Sequence, residues 1–211
     1  LSEPTPGATN ATTASFGNPL ELVINEWMAN PASGADWFEM YNPDDSPVNL
    51  SGLSLTDDPT AVGRTKFIIP ENAFIPAGGW VRWVADGDTN AGADHVNFSL
   101  RGRGELLRLY GSRRNPIDEM EIVNQADGIS RGRLPDGAGQ YADFPTTPTP
   151  GASNYLPLLD VVVNEVLAHT DAPLEDAIEL RNISDTEVDV SGWLLGDTPA
   201  GKTRYEIPED T

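Results

Sequence analysis

Two pairs of glutamates are the first residues in this sequence that could do chemistry. Each pair lies in a stretch that opens with apolar residues and Asn-Glu and ends in Asn: Glu26 and Glu39 in LVINEWMANPASGADWFEMYN (22–42), and Glu165 and Glu179 in VVVNEVLAHTDAPLEDAIELRN (161–182). Two carboxyl groups held close together can act as a general acid and a general base. Because both stretches carry the pair, we favour a structural duty that two copies of one fold would share, such as bonding loop amides.

An acidic loop, DGDTNAGAD, is the best candidate for a metal site. Hard cations prefer carboxylate and amide oxygens on a sharply curved backbone, and this loop alternates Asp, Asp and Asn with other residues. The candidate calcium ligands are Asp86, Asp88, Asn90 and Asp94. An EF-hand needs a bidentate glutamate at the twelfth position, which is Asn97 here, and no flanking helices are evident. A solvated turn is the favoured alternative, since Asp, Asn and Gly are ordinary turn residues.

The two histidines do not share a spacing that would suggest zinc. His95 follows the acidic loop directly, and His169 lies in the polar insert of the second stretch. His95 could assist a metal bound by Asp86 and Asp88. A residue at the start of a strand that packs on the loop is the favoured interpretation.

The residues from Gly128 to Gly132 match the Gly-x-Ser-x-Gly pattern of a nucleophile elbow, with Ser130 as the nucleophile. That motif requires a strand before it and a helix after it. The sequence that follows is RLPDGAG, which cannot begin a helix, so we interpret the match as accidental. The sequence therefore predicts no catalytic residue and no cofactor site.

An arginine-rich window covers residues 101–133 and has a net charge of +2, whereas the rest of the chain sums to -22. Its seven arginines are Arg101, Arg103, Arg108, Arg113, Arg114, Arg131 and Arg133. A basic face on an acidic body could bind a neighbouring domain, an acidic glycan or a phosphate backbone. Salt pairing across strands is the somewhat favoured alternative.

The composition limits the class of protein. The chain has 211 residues, 33 acidic and 13 basic, with a formal net charge of -20 and no cysteine. Such a charge disfavours nucleic acid and anionic membranes as partners. The absence of cysteine excludes disulfides and thiolate chemistry and favours an extracellular protein. No apolar run approaches the roughly 18 residues of a membrane helix.

The elements that position these residues are predicted to be strands. Short runs rich in β-branched and aromatic residues, such as 20–27 and 36–42, recur at spacings of about 8–12 residues and are separated by Gly, Pro, Asn and Asp. No window of a dozen residues keeps a helical period. Residues 129–144 are interpreted as loop with one short edge segment. Eight or nine strands of this kind predict an all-β sandwich of two packed sheets.

The phrase PTPGATN (4–10) returns as PTPGASN (148–154), each time ahead of an apolar run and Asn-Glu. We interpret it as the end of one domain. The predicted organisation is a linker and the tail of a preceding repeat at 1–19, a complete sandwich at 20–155, and the first part of a second sandwich at 156–211. The second sandwich is either truncated or completed by another chain, and truncation is favoured.

Together these phrases resemble the bacterial form of the lamin tail domain. The resemblance rests on the order NE, WFEMYNP, VNLSGLSLTDD, KFIIP, IPAGG, ADGD, HVNFSL, GELLRLY, SRGRLPDG and PTPGASN. It runs through nearly all of 20–154 and through 158–211. The resemblance implies an immunoglobulin-like β-sandwich, here in tandem, with no established catalysis.

The expected function is therefore a non-catalytic binding or spacer module of an exported, multidomain bacterial protein, at the cell surface or outside the cell. Expected partners are other domains of the same polypeptide, cell-surface components, or a second copy through the incomplete domain. The alternative is an accessory domain of a secreted hydrolase, nuclease or kinase-like enzyme whose catalytic domain lies outside these residues.

Overall fold

Antiparallel strands form almost all the regular structure of this computed structural model, which describes residues 15–58, 60–157, 159–168, 175–196 and 205–209. The predictions for His169 and for residues 4–10 lie outside that part of the chain. Contacts between Cα atoms divide the chain into a first unit, Leu1–Leu156, and a second unit, Pro157–Thr211. Each unit is described by itself.

The first unit contains two one-turn 3-10 helices, Pro19–Glu21 and Gly63–Thr65, and short strands. The strands described in it are β1 (Val23–Met28), β2 (Asp36–Tyr41), β3 (Val48–Asn49), β4 (Ser54–Thr56), β5 (Phe67–Ile68), β6 (Phe74–Ile75), β7 (Trp80–Ala85), β8 (Glu105–Tyr110), β9 (Pro116–Ile122), β10 (Ser130–Arg133) and β11 (Tyr141–Phe144).

These strands form a five-stranded sheet in the order β11-β10-β1-β2-β7, a four-stranded sheet in the order β5-β4-β8-β9, and the short pair β3-β6. One apolar core joins them. Phe38 and Met40 of β2 and Leu107 and Leu109 of β8 are all fully buried in it. Burying each such side chain contributes about 1.5–3 kcal/mol. The prediction of an all-β, immunoglobulin-like sandwich is confirmed.

The interpretation of residues 129–144 as loop with one edge segment is wrong. This stretch contains two paired strands, and β10 lies inside the five-stranded sheet, between β1 and β11. The sequence SRGR does not predict a strand, because it has no β-branched or aromatic residue and contains a glycine. Its partners, rather than its own propensity, make it a strand.

The second unit contains β12 (Val161–Leu167), β13 (Ala177–Asn182), β14 (Leu194–Leu195) and β15 (Tyr205–Glu206), with β12 paired to β13 and β14 to β15. Its pairing repeats that of the first unit. Glu165 is the Cα partner of Glu179, as Glu26 is of Glu39, and the register shifts just before the first glutamate in both pairs.

The two strand pairs differ in burial. In the first pair, Ile24 and Phe38 are fully buried, whereas Val163 and Ile178 at the same positions of the second pair are 58% and 51% exposed. Among the described residues, no helix is long and apolar enough to cross a membrane.

Candidate functional site

The candidate site is built on the two buried glutamates of the first unit. Glu26 of β1 and Glu39 of β2 are Cα partners in the sheet, and neither side chain is exposed. An isolated charged carboxylate in a protein interior is strongly destabilising unless hydrogen-bond donors surround it. The hydrogen-bond donors around each glutamate therefore indicate the structural role of the pair.

Glu26 receives its hydrogen bonds from two segments that are distant in sequence. The hydroxyl of Ser130 in β10 donates to Oε1 at 2.5 Å. The backbone N–H and the hydroxyl of Thr149 donate to Oε2 at 3.1 and 3.0 Å. Glu26 thus joins β1 to β10 and to the stretch that follows β11.

Glu39 bonds the same stretch after β11, at Gly151, two residues after the Thr149 that bonds Glu26. The backbone N–H of Gly151 donates to Oε2 at 2.7 Å, and the side-chain amide of Asn25 donates to Oε1 at 3.0 Å. We call residues 148–154 the closing segment, and the contacts of Glu26 and Glu39 with it the carboxylate clasp. Gly151 has φ of +83°, a conformation that favours glycine.

Asn154 completes the clasp at the end of the closing segment. Its side-chain oxygen lies 2.7 Å from the Thr149 hydroxyl oxygen, whose single proton is donated either to this atom or to Glu26. Its amide donates to the Arg133 carbonyl at 2.9 Å. The carboxylate of Asp136 accepts from the N–H of Asn154 at 3.0 Å and from Asn25 at 2.8 Å. The Thr, Gly and Asn of the repeated phrase thus make these contacts, and the Ser153 hydroxyl adds a hydrogen bond to Asp136.

Burial dominates the electrostatics of this site. It raises the pKa of Glu39 to about 8, against the opposing effect of the hydrogen bonds from Asn25 and Gly151. Burial also raises the pKa of Glu26, opposed by the bonds from Ser130 and Thr149. Since both carboxyl groups are fully buried and bonded to the chain, neither reaches a molecule in solution. The arrangement can hold a segment in place, and it gives the pair no route to a substrate.

Gly132 lets β10 approach β1 closely. A Cβ atom at this position would lie 2.6 Å from the carbonyl oxygen of Asn25 and 2.7 Å from the side-chain nitrogen of Asn154. The match of residues 128–132 to a nucleophile elbow is explained by these contacts. Ser130 lies in a strand, fully buried, and its hydroxyl donates to Glu26.

Arg133 is buried and does not contribute to an exposed basic face. Only 7% of it is exposed, and its guanidinium bonds both oxygens of Asp118, at 3.0 and 3.1 Å, and the Ile24 carbonyl at 2.8 Å. Asp118 also accepts from the N–H of Ile24 at 2.7 Å. This buried ion pair connects β9, β1 and β10.

Among the other arginines, Arg108 lies in β8 and Arg131 in β10, which belong to different sheets, and the remaining four lie in the loops before and after β8. The structure therefore does not bring the seven into one face. Arg108 pairs with Glu119 across β8 and β9, and Arg131 pairs with Asp143 across β10 and β11. Arg114 donates to the hydroxyl of Ser54 at 3.2 Å. The arginines exposed to solvent are Arg101, Arg103 and Arg113.

The carboxylates of Asp86 and Asp88 accept hydrogen bonds from backbone amides of the acidic loop itself. Asp86 accepts from the N–H of Asp88 at 2.9 Å, and Asp88 accepts from the N–H of Asn90 at 3.0 Å. His95 bonds the second oxygen of Asp86 at 2.7 Å. The N–H of Asp88 and the His95 ring lower the pKa of Asp86.

Within the described residues, no group of three or more acidic or histidine side chains is placed to hold a metal ion. The calcium prediction for Asp86, Asp88, Asn90 and Asp94 therefore finds no ligand set. The physical reason is that Asp86 and Asp88 accept hydrogen bonds from amides of their own turn.

Sequence reasoning missed several residues of the clasp. Asn25, Ser130, Asp136 and Asn154 were not predicted to meet. The contacts of Asn25 with Asp136 and of Ser130 with Glu26 join positions more than a hundred residues apart, and the contact of Asn154 with Asp136 joins two irregular segments. The repeated phrase was the available signal. A segment that recurs beside a recurring Asn-Glu strand points to contact between the two.

Comparison with known proteins agrees with this architecture. The family model described as Lamin Tail Domain matches residues 17–124, which include β1 to β9 and end before β10 and the closing segment. No curated protein matches the chain. The match covers just over half of the sequence, and the chain belongs to the lamin tail domain family.

Proposed function

We propose that this chain is a non-catalytic spacer and binding module of an exported, multidomain bacterial protein, which sets the position of neighbouring domains or surface partners. The observation that carries the proposal is that the sandwich of the first unit holds the chain at both ends, through contacts with residues 16–18 before β1 and with the closing segment after β11. A spacer needs this property, because a domain with loose ends cannot fix the position of what is attached to it.

Where the chain enters, three contacts fix it. The Gly17 N–H donates to the Pro47 carbonyl at 3.0 Å, and the Asn18 N–H donates to Asp44 at 3.1 Å. The ring of Phe16 stacks on Phe74 with centroids 5.5 Å apart.

Where the chain leaves, the carboxylate clasp fixes it. Thr149, Gly151 and Asn154 are each bonded to the body, and the hydroxyl of Thr147 donates to the Tyr155 carbonyl at 3.0 Å. The acidic pair that could have served acid–base chemistry is used for this purpose.

We propose further that the second unit is a second copy of the same kind of domain. Supporting this, the N–H of Gly192 donates to the Ile207 carbonyl and that of Ile207 to Trp193, as Gly52 does to Ile69 and Ile69 to Leu53. Domains repeated in series are a common way to lengthen a spacer. The net charge of -20 and the absence of cysteine are consistent with an extracellular location.

A distance measurement between spin labels tests the spacer proposal. The chain has no cysteine, so S15C and Y155C would carry the only two labels, at exposed positions on either side of the first unit. We expect a narrow, single-peaked distance distribution. Adding T149A and N154A, which remove clasp contacts, should broaden it. A broad distribution in the unmodified background would contradict the proposal.

A further inference from the structure

Three arginines of the first unit meet at one end of the four-stranded sheet. Arg64 belongs to the short helix before β5, and Arg113 and Arg114 belong to the turn between β8 and β9. Among the described residues none of the three forms an ion pair, although the chain has 33 acidic and 13 basic residues. We call these three residues the arginine patch. The arginine-rich window of the sequence does not include Arg64, because only the fold brings it to the other two.

Contacts with one pair of buried residues place Arg64 and Arg114 side by side. Ser54 of β4 and Tyr110 of β8 are Cα partners, with exposures of 0% and 6%. The Ser54 hydroxyl accepts from Nη1 of Arg114 at 3.2 Å and donates to the Arg64 carbonyl at 2.6 Å. The guanidinium carbon of Arg64 lies 5.6 Å from the centroid of the Tyr110 ring. Both arginines are therefore positioned by residues of the sheet.

Both guanidinium groups have N–H donors and charge available to a ligand. The contact of Arg64 with the Tyr110 ring covers one face of the guanidinium and uses none of its in-plane N–H groups. The described side-chain hydrogen bonds of Arg114 use Nη1 alone, and their acceptors, the Ser54 hydroxyl and the Gly52 carbonyl, are both neutral. A guanidinium with free donors bonds a carboxylate through two parallel hydrogen bonds.

We propose that the arginine patch binds an acidic segment of a partner polypeptide, whose carboxylates bond Arg64 and Arg114. The inference rests on the binding half of the proposed function and names the chemistry of the partner. Ile68 of the edge strand β5 is the Cα partner of Ser54 and is 48% exposed. An apolar side chain that neighbours the carboxylates of the segment therefore has a surface to pack against.

The charge of the molecule favours a short acidic segment over a long polyanion. The net charge of -20 repels a nucleic acid or a sulfated glycan over long distances. A segment with only a few carboxylates experiences less of this repulsion. It also supplies an apolar side chain for Ile68, which a phosphate ion does not. A polypeptide is therefore the class of partner that fits both the arginines and the apolar surface beside them.

The probe is the acetylated, amidated peptide DEIDE, titrated at low salt into the full chain labelled with 15N. We expect saturable shifts of the amides of Ser54, Arg64, Ile68 and Arg114, with a Kd on the order of 1 mM, as suits a few charged hydrogen bonds and a small apolar contact. High salt should weaken the binding, because it screens exposed charges. The matched control is the peptide NQINQ, which has the same shape without charge and should give no saturable shift.

Two protein variants locate the site. R64Q removes the charge but keeps the bond to Ser54, which uses the Arg64 carbonyl, and it should weaken binding of DEIDE about tenfold. R103Q makes the same change at an exposed arginine before β8, at the opposite end of that strand, and should leave the affinity unchanged. R114Q should act like R64Q. If R114Q loses the native amide spectrum, R64Q and R103Q remain as the matched pair.

Four results would overturn the proposal: no saturable shift of the patch amides with DEIDE, equal binding of NQINQ, equal weakening by R103Q and R64Q, or tighter binding of inorganic phosphate or a heparin fragment than of DEIDE. The last result would assign the patch to another class of anion. The spin-label experiment separates this inference from the spacer proposal. A narrow distance distribution without peptide binding would contradict only the inference, and saturable binding with a broad distribution would contradict only the spacer.

Discussion

At the scale of single residues, Glu39 departs furthest from ordinary behaviour. Burial raises its pKa to about 8, so in the folded chain it binds a proton over a pH range in which the unfolded chain does not. A group whose folded pKa lies above its unfolded value favours folding at low pH, and this contribution is lost as pH rises through the folded pKa. The pH window of this loss runs from the ordinary glutamate pKa of 4.5 to about 8.

The first prediction follows from this sign. The free energy of unfolding should fall between pH 5 and pH 8. Glu39 should account for about 3–4 kcal/mol of the fall, since its pKa rises from 4.5 to about 8 on folding and one pKa unit corresponds to about 1.4 kcal/mol. Glu26, whose pKa is raised too, acts in the same direction. The measurement is denaturant unfolding at a series of pH values.

E39Q is the informative variant, because its amide does not titrate. The pH-dependent fall should be clearly smaller in E39Q than in the natural chain. The exposed E71Q is the matched control and should retain the full dependence. Equal pH dependence in E39Q and the natural chain would contradict the assignment.

The acidic loop gives a second prediction at this scale. Because Asp86 and Asp88 cap the turn's own N–H groups, calcium at millimolar concentration should leave the melting temperature unchanged. D86A should destabilise the loop with or without calcium, through loss of the turn bond and the bond to His95. A calcium-dependent rise in melting temperature that D86A abolishes would restore the metal site.

At the scale of elements, β10 holds the site together. It supplies Ser130 to Glu26, and its Gly132 leaves room for Asn154 and for the β1 backbone. The ion pair of Arg133 with Asp118 then connects it to β9 in the facing sheet. Breaking one partner of such a buried pair leaves an uncompensated charge, so this strand is sensitive to substitution.

G132A is the third prediction. The added methyl group would lie 2.6 Å from a backbone oxygen, which cannot move like a flexible side chain, so we expect a loss of about 1–3 kcal/mol in unfolding free energy. G139A is the matched control, since no heavy atom lies within 4 Å of the Cβ built there. Equal stability of the two variants would show that β10 does not approach β1 this closely.

Sequence reasoning succeeded where an element carries its own pattern. The runs at 20–27 and 36–42 were predicted to be strands, and they overlap β1 and β2. It failed for β10, where strand formation depends on contacts with β1 and β11 rather than on the residues themselves. The duty of Glu26 and Glu39 was predicted in kind, as bonding of loop amides, but their partners required the fold.

At the scale of the whole molecule, the contrast between the two units tests how burial governs stability. The strand pairs β1–β2 and β12–β13 share register, yet only the first pair is covered. Amides in strands with few buried contacts exchange with solvent faster, because local opening is less costly there.

The fourth prediction is that amides of β12 and β13 exchange at least about a hundredfold faster than those at the matching positions of β1 and β2. Hydrogen exchange followed by NMR compares the positions directly, for example Ile24 with Val163 and Met40 with Leu180. Equal protection in the two pairs would contradict the described burial of the second unit.

The most direct test of the carboxylate clasp is hydrogen exchange at the amides of Thr149 and Gly151. Each donates to one buried glutamate, so the account predicts that both are protected although they lie in an irregular segment. E39Q should accelerate exchange at Gly151 more than at Thr149, and E26Q should do the reverse. If the Gly151 amide of the natural chain exchanges at the rate of an unstructured peptide, the clasp does not hold the segment and the central claim is wrong.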